Sequence, residues 1–512
     1  MLRVPIKVLT YALKASLHHR EGILFPASPE INIVEENWQL VGPELAKIDL
    51  DTYLGYDVMT SFAPKLRLNV RRVSLLHPYD LIIYTALVLT LKHSISRVRL
   101  PSDKVFSYRT EKAGPNQLYS KSSTWKDFRN AVRTKIDEQP ERFVGATDIA
   151  DFYPRIYHHR LVNALSAAAG NSCKDYIRVL EKMLSRFSDG TSYGIPVGPP
   201  ASRLLGEAVL SDVDDTLVSY GIDFVRFVDD FVIFASTIQD AEYGLRVLAE
   251  TLFRNHGLTL ATAKTKVSAA AQYAEQTLTS HNEKEVNRRE LLQLLGDDPY
   301  EMNSYEDLDE DQKKGVDAFN LTEMLEEALG EGEKVDYQEV QFILGRLASL
   351  RKPELIPTVL NNLERLYPVA ESVAAFFKEF GRSLERESGN IGDALLKPLL
   401  NPISAKPSEY YAIWILSIFE HHRSWNHAEE LLRIFQETSS DVMRRSAALA
   451  LGKSGTRSQA ISLKQYLQTA SSLCRTAILL ATAKMGRDER EYYTRSQRLS
   501  DSLEQLCAKS KL

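Results

Sequence analysis

The sequence predicts an α+β domain followed by an all-α domain of helical repeats, and three observations carry that expectation. The 512 residues are more than one hydrophobic core usually organises, so two or more domains are expected. In the first part of the chain, short strand-like runs (Phe143–Asp148 and Asp223–Ala235) alternate with amphipathic helical stretches. Beyond Lys314 the apolar spacing is helical to the end. There Thr438–Gly452 and Thr469–Thr482 match at an offset near thirty, as stacked helical repeats do.

Taken in order, residues 1–60 carry helical spacing (Val4, Val8, Tyr11, Ala12, Ala15) and then turn-rich segments, an N-terminal helical extension. Residues 61–290 are read as the α+β domain, 291–315 as an acidic linker and 316–512 as the α-helical repeat domain. Lys65–Val73 alternates basic and apolar residues as a strand does, and an apolar helix follows His77-Pro-Tyr-Asp80. Trp125–Arg142 is amphipathic, with Trp125, Phe128, Val132 and Ile136 on one face. Ile238–Asn255 reads as a further helix.

Composition narrows the class. Apolar residues make up 44% of the chain, ordinary for a water-soluble fold. Cys173, Cys474 and Cys507 are scattered without CxxC spacing, so no disulfide framework or zinc site is expected and a reducing cytoplasm fits. Met1–Arg20 lacks the apolar core of a signal peptide, and the apolar run Ile82–Leu91 is too short to span a bilayer, so no membrane partner is expected. The net charge of −5 is unevenly spread. Pro64–Lys135 holds 15 Lys and Arg against 4 Asp and Glu, while Asp297–Glu339 holds 16 acidic residues against 3 lysines. Such segregation suggests a basic face that handles phosphates, or else an ordinary solvated surface beside an acidic linker.

The chemistry concentrates on Asp223-Phe-Val-Arg-Phe-Val-Asp-Asp-Phe-Val-Ile-Phe-Ala235. It reads as a β-hairpin with Asp229 and Asp230 at its tip. Two aspartates beside Phe and Val must be solvated, paired or metal-bound. Upstream, the run Phe143-Val-Gly-Ala-Thr-Asp148 ends on a third carboxylate. Three carboxylates at one end of a sheet repel each other without cations, and oxygen-only donors suit magnesium. A pair of such ions about 4 Å apart serves nucleotidyl transfer.

Three stretches together resemble the reverse transcriptases. Asp148-Ile-Ala-Asp-Phe-Tyr153 is similar to their first catalytic motif, and Gly194-Ile-Pro-Val-Gly-Pro-Pro199 to their template-and-nucleotide loop. Phe227-Val-Asp-Asp230 is similar to their double-aspartate motif, and the order and separations agree. The resemblance covers roughly residues 60–280 and implies a fingers-and-palm fold. It implies a metal-holding set of Asp148, Ile149, Asp229 and Asp230, with two Mg2+ ions or Mn2+ in their place. It implies that the ring of Tyr153 blocks a ribose 2′-hydroxyl, the bland alternative being a core tyrosine before a turn. Gly198 would let a nucleotide approach the backbone. Where the common pattern has Gln before that glycine, this chain has Val197. Lys264, in a segment resembling the next motif, would face the leaving pyrophosphate, unless it is a plain loop lysine. Arg72 would contact the triphosphate, with Arg71 on the opposite strand face as the other choice.

Both matched C-terminal stretches place an arginine before an Ala/Leu-rich helix, which is similar to HEAT-like repeats. The combined pattern of palm, Gly194–Glu207 loop and helical tail most resembles the bacterial abortive-infection reverse transcriptases of phage defence. That resemblance implies deoxynucleoside triphosphates as substrates, a homo-oligomer, and single-stranded DNA made without a template and joined to a tyrosine. The alternatives are an RNA-templated, retron-like enzyme and a repeat scaffold with an inactive palm.

Overall fold

The computed structural model describes residues 1–19, 24–65, 69–111, 113–120, 123–278, 291, 308–330, 332, 335–380, 388–400, 408–421 and 425–510. The chain divides into two compact units. The first comprises Met1–Gly22, Asn37–Val58 and Ser74–His281; the second comprises Ile23–Glu36, Met59–Val73 and Asn282–Leu512. Six strands are present among the described residues: β1 (Met59–Pro64), β2 (Val70–Leu75), β3 (Phe143–Asp148), β4 (Asp223–Phe227), β5 (Asp230–Ala235) and β6 (Lys266–Ala269). β1 and β2 pair as one two-stranded sheet. The strand expected from Lys65 therefore starts at Val70, and residues 66–68 lie outside the described part.

In the first unit β3–β6 form an antiparallel sheet of order β4-β5-β3-β6. One face carries Val144, Val225, Val232 and Phe234, packed on Phe128, Val132 and Ile136 of the helix Trp125–Glu138. These are three of the four apolar positions expected on that helix; the fourth, Trp125, is 46% exposed. Helix Ile238–His256 covers the other face, and Gly145 gives it room: a Cβ there would lie 3.1 Å from Leu245 carbons.

Helix Pro78–Val98 is the one described helix long and apolar enough to cross a membrane. Most of its apolar residues are buried inside the first unit, against helices Ile6–His18, Ala201–Val209, His158–Ala169 and Lys174–Phe187. The run read as Ile82–Leu91 is therefore the middle of a longer core helix. Asp80, in its first turn, is fully buried and pairs with Arg186 at 2.6 Å.

The second unit is helical around β1 and the first part of β2. Helices Asp441–Ser454 and Ser472–Ala481 occupy the matched stretches. Their arginines do not precede the helices as expected; Arg445 and Arg475 lie one turn inside and are buried. Arg445 donates to Glu30 at 2.7 Å, and Arg475 to Glu504 at 2.6 Å. Burial favours the neutral form of Glu30, but Arg445 and Ser28 more than offset it and hold the carboxyl below its usual range. Most of the acidic linker, residues 292–307, lies outside the described part. Its end is already helix: Asp309 caps Glu310–Asp317 by accepting from Gln312 N–H at 2.7 Å. Part of that acidity is helix capping.

Candidate active site

β3 runs antiparallel to β5 with Asp148 opposite Asp230, so register alone brings those carboxylates side by side. Asp229 sits in the turn between β4 and β5, and its carbonyl accepts from Ile149 N–H at 3.1 Å. Carboxylate oxygens of Asp148, Asp229 and Asp230 all lie within 4.8 Å of one another. Asp148 is 4% exposed. Burial, then Asp148 and Asp230, push Asp229 up to about 7. Burial and Asp148 push Asp230 up to about 6, against the pull of Lys264. Lys264 donates to Asp148, and this contact with the neighbouring aspartates raises its own pKa despite burial. Three acids thus share one lysine. Oxygen-only donors in excess of positive charge fit a hard divalent cation. The side chain of Ile149 is a hydrocarbon with no donor atom, so only its backbone carbonyl could join such a set.

The turn is under strain and is held. Val228 has φ +56°, an uncommon conformation for a β-branched residue that costs about 1–3 kcal/mol. Its N–H donates to Ser107 Oγ at 3.0 Å, and its carbonyl accepts from Arg226 Nη1 at 2.8 Å. Behind these contacts lies a buried ion network. Arg226 pairs with Asp214 at 2.5 Å and Glu207 at 3.2 Å, and Arg99 pairs with Glu207 at 2.7 Å. Ser107 closes it by donating to Glu207 Oε1 at 2.6 Å. Nothing in the sequence around Ser107 or Glu207 points to this network. The only signal was Arg226 facing inward on an otherwise apolar strand, where it must find buried acids. Two of the cations counted in the basic stretch, Arg99 and Arg109, are buried and so do not belong to an exposed basic face.

The other expected residues fall as follows. Tyr153 is on the short turn Phe152–Arg155, its ring fitted beside Gly206, where a Cβ would lie 3.0 Å from a ring carbon. Its carbonyl accepts from Ile195 N–H at 3.1 Å, which ties it to the Gly194–Pro199 loop. Burial first, then Tyr108 and Asp229, raise its phenol well above the usual value. In that loop Gly198 has φ +130°, and a Cβ would come within 3.2 Å of the Ser74 carbonyl, so both conformation and space call for glycine. Val197 accepts from Ser74 N–H at 3.0 Å. The first unit therefore gathers Asp148, Asp229, Asp230 and Lys264, and carries Tyr153 and Gly198. Arg72 is on the β2 segment of the second unit, half-buried, next to exposed Arg71. A cavity of about 760 Å3 opens on Asp148, Asp230 and Lys264, between β3, β5, β6 and the helix Trp125–Glu138.

With this geometry in place, the sequence of residues 81–297 matches the family described as reverse transcriptase (RNA-dependent DNA polymerase). The match makes this part of the chain similar to a reverse transcriptase domain. The matched span contains all three carboxylates with Tyr153, Gly198 and Lys264, and Arg72 precedes it. Members of that family are nucleotidyltransferases, a chemistry that metal-holding carboxylates serve. Apo telomerase from Candida tropicalis is similar at 11% identity, over 90% of this chain and 73% of that one, with a TM-score of 0.34. Its form truncated from the C-terminal domain aligns at 12% identity over 46% of this chain, which spans 54% of that relative's length, with a TM-score of 0.32. A partial Cas6-RT-Cas1–Cas2 complex aligns at 18% identity over 48% of this chain and 42% of its own, with a TM-score of 0.26. None of the curated proteins matches the chain.

Proposed function

We propose that the chain is a DNA polymerase that adds deoxynucleotides from their triphosphates to a hydroxyl acceptor. The observation that carries this is the convergence of Asp148, Asp229 and Asp230 within 4.8 Å inside the reverse transcriptase domain. Asp148 and Asp229 would hold Mg2+, with Asp230 and the Ile149 carbonyl in support. When bound, the cation lowers the pKa of the attacking hydroxyl and offsets charge on the leaving phosphate. The protein's own groups do the rest. Lys264, which donates to Asp148, would hold a proton for the leaving pyrophosphate. Tyr153 presents a packed ring that excludes a ribose 2′-hydroxyl, and Gly198 admits the nucleotide to the backbone. Arg72, through its planar fork, takes the triphosphate.

The finer reading is that the acceptor is a tyrosyl hydroxyl, that no template is used, and that the enzyme serves abortive infection in the cytoplasm as a homo-oligomer. It rests on the resemblance of the palm motifs, the Gly194–Glu207 loop and the C-terminal helical repeats to the defence group. The test is incubation of purified protein with deoxynucleotides and magnesium, with and without added RNA. Expected is incorporation in both, and a nuclease-sensitive mass increase on the protein. A second reading, RNA-templated synthesis, is favoured by the family's description as RNA-dependent. Incorporation only with RNA, and an unchanged protein mass, would select it.

A further inference from the structure

The cavity beside the carboxylates has a composition that the metal chemistry does not use. Its walls include Trp125 and Tyr273, with Arg129 and Lys266, and Asp148 and Asp230 line it too. Trp125 is 46% exposed although it opens a helix whose other apolar residues are buried. Its ring is nevertheless held: it lies 5.0 Å from Phe128 and 5.4 Å, edge to face, from Phe227, centroid to centroid. Phe227 ends β4, directly before the strained turn at Val228. A large indole that is held in place yet open to solvent is an apt platform for a flat aromatic ligand. Tyr273 stands close enough to Asp230 and Arg129 for both charges to act on its phenol, although burial is the larger influence. Arg129 is fixed by donating to the Thr277 and Leu278 carbonyls at 3.2 and 3.1 Å. These partners are neutral, and among the described residues Arg129 pairs with no carboxylate, so its charge remains available to a phosphate.

We infer that this cavity receives the terminal nucleotide of the single strand being extended, with its base unpaired and stacked on Trp125 and its backbone phosphate facing Arg129 and Lys266. The inference rests on the polymerase reading above and specifies its nucleic-acid substrate. Size agrees with it. About 760 Å3 is within the roughly 300–1,000 Å3 of small-ligand sites, enough for one or two nucleotides and not for a double helix. Aromatic stacking plus cationic phosphate contacts is how single strands are held without sequence preference. Asp148 and Asp230, which line the same cavity, would then stand beside the strand's terminal hydroxyl.

The test uses the full chain carrying Asp229→Asn, in EDTA, with fluorescein-labelled single-stranded decathymidylate, so that binding is read apart from incorporation. Trp125→Ala is expected to weaken binding about tenfold, and Trp125→Phe, which keeps a stacking face, by less than about threefold. The strand should also quench tryptophan emission. Trp414 and Trp425 are buried, and Trp38 is half-buried with its N–H given to Thr10, so the quench should vanish in Trp125→Phe. Unchanged affinity in Trp125→Ala, or a quench that survives Trp125→Phe, would overturn the assignment. So would an equal quench by a blunt duplex of the same length. Should Trp125→Ala fail to fold, the quench in Trp125→Phe decides. A wild-type chain that incorporates nucleotides while Trp125 is irrelevant to binding sinks this inference and spares the polymerase. Trp125-dependent binding by a chain that incorporates nothing does the opposite.

Discussion

Two charge clusters lie on the β4–β5 hairpin, and they are built to opposite rules. At the turn, Asp148, Asp229 and Asp230 share Lys264. Behind it, Glu207 and Asp214 are matched by Arg99 and Arg226, with all four side chains no more than 1% exposed. In the second cluster burial pushes Glu207 up, yet Arg226 and Arg99 override it and hold the carboxyl low. In the first, nothing overrides burial and repulsion, and Asp229 and Asp230 both rise. The balanced cluster holds a strained turn in place; the unbalanced one is left short of positive charge. That contrast separates a structural ion network from a cation site more sharply than acidity does.

The largest effect expected from breaking the contrast is on activity. Asp229→Ala should cut deoxynucleotide incorporation by at least about a thousandfold, since it removes charge that holds the cation. The same variant should leave the melting temperature in EDTA equal or higher, because it relieves a repulsion. Filter-bound incorporation and a thermal melt measure the two halves. Full incorporation by a folded variant would remove the site from consideration.

In the balanced cluster the order of effects reverses. Arg226→Ala strands Asp214 and Glu207 in the interior, a change that costs about 3–5 kcal/mol of stability. It also frees the Val228 carbonyl. Urea unfolding should show that loss at any magnesium concentration, with incorporation falling as a consequence of the damaged turn. A midpoint unchanged from wild type would mean that the network does not support the hairpin.

Much of the unbalanced cluster was legible in the sequence, and almost none of the balanced one. Period-two alternation puts Asp148 at a strand end, and an Asp-Asp pair interrupting apolar residues marks a hairpin tip. Both are local signals, and helix Ile238–His256 came from the same kind of signal. The network draws Arg99, Ser107, Glu207, Asp214 and Arg226 from four separate segments. A charge count over Pro64–Lys135 cannot tell that Arg99 is an interior cation, because its partner 108 positions away leaves no trace in its neighbourhood. Trp125 was misplaced for a related reason. Helical periodicity gives a face to a residue, but whether that face is covered at its first turn depends on the packing of β4. The two arginines of the repeats were noticed as a pattern, while Glu30, which Arg445 reaches across 415 positions, was not.

The smallest effect sharpens the comparison through pH. A carboxyl raised in the folded state binds protons more tightly than in the unfolded chain, whose aspartates titrate near about 3.9. Its contribution to stability is therefore complete below that value and is lost as pH rises through the folded value. For Asp229 at about 7 and Asp230 at about 6, the metal-free protein should lose stability between roughly pH 4 and 7. Glu207 is lowered and Asp214 raised, so the balanced pair act on the slope in opposite directions. Thermal melts in EDTA should thus decline by a few degrees across that window. Magnesium should restore them at pH 8, where the carboxylates are ionised, and not at pH 5, where protons occupy the same oxygens. Asp229→Asn should flatten the EDTA profile and abolish most of the magnesium response. A slope that persists in that variant would place the titrating group elsewhere and would leave the turn acids as well compensated as the network behind them.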